Sequence, residues 1–163
     1  MGRGKKRRSE RALAVQVLYG LSFIPADSPE ALRRAFLRSP RNDGRAEEAP
    51  LAGYAFTLVQ GVWSNSARLD EIIARHAINW RLDRLGRVEL TLLRMAVYEL
   101  LFCRDVPPKA VINEALELGR AFSGEESIHF LNGILDAAAR SAEKEEPAHG
   151  AALRESLKPH SGT

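Results

Sequence analysis

Five basic side chains near the start of the chain, Lys5, Lys6, Arg7, Arg8 and Arg11, are the residues best suited to chemistry, and the chemistry is recognition of phosphate. The chain opens MGRGKKRRSERALAVQVLYGL, with six bases and one acid among its first eleven residues. That local charge of +5 sits in a chain whose net charge is +3, so residues 12–163 sum to −2. A helix N-terminus is already partly positive, and each base in a first turn costs roughly 0.3–1 kcal/mol at low salt. A soluble fold gains nothing from this crowding, which points to a polyanionic partner. Arginine forks onto phosphate oxygens, and a flexible lead adjusts to an irregular backbone. A helix beginning near Ser9 sets Arg8 and Arg11 three apart on one face, with Lys5, Lys6 and Arg7 on the lead. The bland alternative is a solvated tail; direct coupling to an amphipathic helix favours nucleic acid.

No other chemistry stands out. The sequence has no Gly-rich phosphate loop, no HExxH, no paired-cysteine metal motif and no nucleophile elbow. His76, His129, His149 and His160 show no ligand spacing with each other or with Cys103. Cys103, the single cysteine, lies in the apolar run YELLFCRD, where packing is favoured over a reactive thiol. With no internal disulfide available, a reducing cytoplasm is the expected compartment. Asp83, Glu89, Glu99, Glu114 and Glu117 fall on polar helix edges that need charge in any case. Neither a catalytic residue nor a metal or cofactor is expected. Gln16 and Ser22 interrupt the first apolar run, against a signal peptide, and no run approaches the ~20 residues of a membrane span.

Single-stranded RNA is read by stacking bases on aromatic rings. Tyr19, Phe122 and Phe130 are the candidate platforms, although spacing alone reads each as core. A helix-turn-helix DNA reader needs its bases along a recognition helix, which this lead is not.

The elements that position these residues are helices, since apolar residues recur at three and four and no strand is evident. Leu13, Val17 and Leu21 define the first helix, ended by Pro25. Ser28-Pro29 predicts an N-cap and first residue of a short helix with Leu32, Ala35 and Phe36 inside. Residues 38–50 read as a loop. A helix from Leu51 runs to about Trp63, and Ser64, Asn65 and Ser66 permit a bend before Leu69, Ile72 and Ile73. Residues 82–104 read as the longest and most apolar helix, central because it has two apolar ridges. Its polar edge is Arg87, Thr91, Arg94 and Tyr98. Pro107-Pro108 ends it and starts the next, with Val111, Ala115, Leu118 and Phe122 inward and Asn113, Glu117 and Arg120 outward. After Ser123-Gly124, Ile128, Leu131, Leu135 and Ala138 share one face of a last helix. The expectation is an all-α bundle of about seven helices, with a flexible arm at 1–8, a body at 9–142 and a disordered tail at 143–163.

RRSERALAVQVLYG resembles the start of the NusB family of transcription antitermination factors. LDRLGRVE, LRMAVYEL, DVPPKAVINEALELG and FLNGILD resemble its C-terminal half, so the likeness covers residues 7–23 and 79–140. The resemblance implies two small helical bundles without catalytic activity. It further implies binding of boxA RNA in nascent ribosomal RNA, jointly with the ribosomal protein NusE, and service to RNA polymerase in an antitermination complex. The family's arginine-rich start corresponds to Lys6, Arg7, Arg8 and Arg11, and its RNA-facing aromatics to Tyr19, Phe122 and Phe130. Glu126 matches an acidic position near RNA and NusE; Glu89, with Asp83 close by, matches the carboxylate facing NusE. Arg120 and His129 complete the candidate RNA-facing set. Glu10 falls where the family often has a neutral or basic residue. Members occur as monomers and homodimers. Two alternatives remain at this point: a protein-interaction module with an incidental basic tail, or a stand-alone relative of the RNA-binding domain of ribosomal RNA methyltransferases.

Overall fold

The computed structural model describes residues 3–39, 49–77 and 85–156. Six α-helices carry the chain there: α1 (Arg3–Phe23), α2 (Pro29–Leu37), α3 (Tyr54–His76), α4 (Arg87–Phe102), α5 (Pro108–Phe122) and α6 (Ile128–Ser156). Short 3-10 turns at Ala49–Ala52 and Glu125–Ser127 lead into α3 and α6, and the described residues contain no strand.

Several boundaries have the local causes that the sequence announces. The Ser28 hydroxyl accepts from the Ala31 backbone N–H at 3.1 Å, and Pro29 supplies the first residue of α2. At Asn65 the backbone leaves helical geometry (φ −118°, ψ 15°), and its side-chain amide donates to the Gly61 carbonyl at 2.8 Å. The bend expected at residues 64–66 is therefore present, as a kink at Asn65 where two helical stretches of α3 meet. Pro107 and Pro108 start α5, and Gly124, at φ 107°, turns the chain towards α6 through a conformation that side chains with a Cβ rarely adopt.

Helix α4 is the hub, packed by α1, α3, α5 and α6. Leu92 and Leu93, on neighbouring ridges, are both fully buried, as are Leu131 and Leu135 of α6 and Leu58 and Leu69 of α3. A Cβ at Gly61 would collide with the Tyr98 ring, so the missing side chain lets α4 press its aromatic edge onto α3.

Four expectations are corrected. α4 begins at Arg87, after Gly86 in extended geometry, and at 16 residues it is shorter than α1, α3 and α6. Thr91, read as polar edge, is buried and returns its hydroxyl to the Arg87 carbonyl at 2.6 Å. α1 begins at Arg3 rather than near Ser9, so Arg7 and Arg8 are helical. The helix expected from Leu51 begins instead at Tyr54, after the 3-10 turn Ala49–Ala52, and at the other end of the chain α6 runs to Ser156.

Candidate nucleic-acid interface

The basic turns of α1 lie against acids drawn from the far half of the chain. Arg7 Nη2 donates to Asp105 at 2.9 Å, in the α4–α5 connection. Arg8 donates through Nε and Nη2 to both oxygens of Glu114 on α5, at 3.0 and 2.8 Å. Arg11 makes the same two-pronged contact with Glu99 of α4, at 2.8 Å on each prong. Tyr54 ties this layer together: its hydroxyl donates to Glu99 at 2.8 Å, and the Arg7 and Arg11 guanidinium carbons lie 4.7 and 5.7 Å from its ring centre.

These pairs explain why a helix can begin in a run of bases. Carboxylates from other elements neutralise the charge that its own dipole opposes. The Glu114 carboxyl is held below the usual range, first by its hydrogen bond from Arg8 and then by the charges of Arg8 and Arg11. Burial pushes the Arg11 guanidinium down, but hydrogen bonding and attraction to Glu99 outweigh it and raise the value. The Tyr54 phenol is pushed up, first by burial and then by the Glu99 charge. Glu10, inside the basic run, has its own function: Oε2 accepts the Ala55 N–H at 2.8 Å and caps the start of α3.

Arg11 therefore departs from the candidate set. Its side chain is 5% exposed and Glu99 is 1% exposed, so its guanidinium is committed to the protein interior. Glu99, read as an edge acid, is in fact this buried partner. Arg8 is 62% exposed and Lys6 lies on the surface, while Arg7 is partly covered. Lys5 belongs to α1, and Asp83 lies outside the described residues.

A second feature lies where α1, α4 and α5 meet. Tyr19, Phe122, Glu89, Val88 and Ser123 line an open concavity of about 410 Å³. Tyr19 and Phe122 are 38% and 42% exposed, so the inward position that spacing assigns to Phe122 does not hold at the last residue of α5. Beside it, Phe23 meets Tyr19 edge-to-face at 5.1 Å, and Arg87 stands 4.3 Å over the Phe23 ring. Glu89 accepts hydrogen bonds from the hydroxyls of Ser123 and Ser127, the latter at 2.8 Å. Burial pushes its carboxyl up, but the Ser123 bond, its own backbone N–H and the Ser127 bond outweigh this and leave it lowered. The residue assigned to a protein partner thus shares one concavity with two aromatics assigned to RNA, and it also braces the α5–α6 junction.

The remaining candidates follow that junction. Arg120 pairs with Glu117 at 2.7 Å and Glu125 at 3.4 Å. Glu126 and His129 are exposed, whereas Phe130 is half-buried against the core. A larger cavity of about 600 Å³ between α1, α3 and α4 contains none of the candidates, and Arg94 and Asp70 in its wall satisfy each other at 2.6 and 2.8 Å. Among the described residues no His, Cys, Asp and Glu group could hold a metal ion, and no helix is long and apolar enough to cross a membrane. Cys103 is buried, and burial raises its thiol.

Asp105, Tyr54 and Phe23 are the participants that sequence reading missed. Charge balance was the available signal for Asp105: an arm of +5 on a body of −2 must find its acids somewhere.

The chain has clear relatives among known proteins. The NusB family model matches residues 8–140. The transcription antitermination protein NusB of Desulfovibrio desulfuricans is 58% identical over 149 residues, covering 89% of this chain and 91% of the relative. A structure of T. maritima NusB superposes with a TM-score of 0.68 at 32% identity, over 82% of this chain and 90% of that one. A structure of antitermination factors NusB and NusE in complex with double-stranded RNA also gives a TM-score of 0.68, at 27% identity, over 84% of this chain and 98% of that one.

Proposed function

Since the chain belongs to the NusB family, we propose that it is a transcription antitermination factor that binds boxA RNA of nascent ribosomal RNA together with NusE. In this role it serves the antitermination complex of RNA polymerase in the cytoplasm, as a binding protein without a reaction of its own. The observation that carries the reading is the complex of NusB and NusE on RNA, whose NusB chain aligns over 98% of its length.

The geometry supports a division of labour. Lys6, Arg7 and Arg8 face the phosphate backbone from the first turns of α1, and Tyr19 and Phe122 offer exposed rings for bases or a partner at its other end. Arg120, Glu126, His129 and Phe130 flank that end through the α5–α6 junction. Glu89, on the hub helix, carries negative charge into the same concavity and suits a basic protein such as NusE. A second protein beside the RNA extends the binding track and shares the ordering cost, so the pair holds RNA more tightly than either protein alone.

The test is a titration of the full chain with boxA RNA and with a scrambled RNA of equal length, each with and without NusE. Preference for boxA, enhanced by NusE, supports the reading. Equal binding of both RNAs, unaffected by NusE, overturns it.

A further inference from the structure

We propose that Asp105 and Glu114 are counter-ions which RNA phosphate must displace, so that these two carboxylates set how tightly α1 holds RNA; the inference rests on the RNA-binding reading above. Glu114 occupies the Nε and Nη2 edge of Arg8, at 3.0 and 2.8 Å, an edge onto which a phosphate would fork. Asp105 accepts from Arg7 Nη2 at 2.9 Å. The acids stand 98 and 106 residues from their arginines, so the tertiary fold delivers them.

The three arginine pairs differ in exposure, and that decides which can exchange. Arg11 and Glu99 are 5% and 1% exposed, Arg8 and Glu114 62% and 19%, Arg7 and Asp105 24% and 64%. Pairs open to water are screened and worth little, so a phosphate chain of high charge density can compete for them. Taking Arg11 away would strand the Glu99 charge in the interior, which keeps that pair closed. Exchange at Arg7 and Arg8 leaves each carboxylate beside the RNA. Every such acid cancels part of the charge of the arginine it has released. The effective charge that α1 turns to RNA is consequently lower than its count of bases.

The experiment uses Asp105→Asn and Glu114→Gln in the full chain, singly and together. Each is titrated with boxA RNA and a scrambled RNA across a salt series. Glu71→Gln, an exposed acid on α3 facing Arg75 at 4.0 Å, is the charge-matched control for each single variant. The double variant is expected to bind both RNAs roughly three- to thirtyfold more tightly at low salt. Its slope of log K against log salt should become more negative by about 1.4, about 0.7 for each arginine charge that a neighbouring carboxylate no longer cancels. Thermal melting separates the alternatives, because a merely structural role for these acids lowers the melting temperature without tightening RNA. Should the double variant fail to fold, Asp105→Asn alone removes the more exposed carboxylate, and its tightening should come with a slope more negative by about 0.7. Unchanged or weaker RNA binding overturns the inference, as does a gain no larger than that of Glu71→Gln. A wild-type protein that binds neither RNA overturns the functional reading as well, whereas wild-type binding that the amides fail to tighten overturns the inference alone.

Discussion

Arg11 and Glu99 meet across the α1–α4 boundary through two hydrogen bonds of 2.8 Å, both side chains almost wholly buried, with the Tyr54 hydroxyl completing the set. The pair fastens the basic helix to the hub helix. Removing one partner of a buried ion pair strands the other charge and costs about 3–5 kcal/mol. Arg11→Ala and Glu99→Ala are therefore expected to lose that much in urea unfolding. Replacing both by apolar residues of similar volume should cost less than either single change. Equal and additive losses would show that the two residues do not act as a pair.

Acid should loosen the outer pair on α5. The Glu114 carboxyl lies below its ordinary value because Arg8 donates to it. Its contribution to stability is thus present above the unfolded-state value and is lost as pH falls through the lower folded-state value. Glu114→Gln should accordingly show a smaller stability loss than wild type between about pH 6 and about pH 3. Denaturant unfolding at a series of pH values measures this, and parallel curves for the two proteins would contradict it.

Phe122 and Phe130 should separate base reading from packing. Phe122 is exposed on the concavity, whereas Phe130 is half-buried against the core. Stacking on an aromatic ring is worth roughly 1–3 kcal/mol per base. Phe122→Ala is expected to reduce discrimination between boxA and scrambled RNA with little change in melting temperature. Phe130→Ala should lower the melting temperature as well. The reverse pattern would exchange the two assignments.

Glu89 is placed to affect both fold and partner. Glu89→Lys should weaken NusE binding in calorimetry, and it should also destabilise the α5–α6 junction by roughly 1–3 kcal/mol, because Ser123 and Ser127 lose their acceptor. Glu89→Gln retains an acceptor and should cost less stability. Unchanged NusE affinity in a folded Glu89→Lys protein would move the contact elsewhere.

The parts of the fold legible in the sequence are those with local causes. Ser28-Pro29, the Asn65 kink and Pro107-Pro108 each act within a few residues, and the ridges of α4 reveal a central helix through their periodicity. The start of α1 was not legible, because its charge is balanced by Asp105, Glu114 and Glu99, all 88 or more residues away. Periodicity places Glu99 on a helix but cannot tell that its neighbour is a buried arginine. For the same reason the basic run of the candidate site was visible, while the commitment of Arg11 to the interior was not. Tyr19, Phe122 and Glu89 each stood out singly; only the packing of α1, α4 and α5 brings them to one concavity.

The most direct test of the central claim is the affinity of the intact chain for boxA RNA measured with and without NusE, against a scrambled RNA of equal length. The account predicts that boxA is preferred and that NusE increases its affinity beyond that of either protein alone, with the gain reduced in Glu89→Lys. Indifference to RNA sequence, together with a boxA affinity that NusE leaves unchanged, would contradict it.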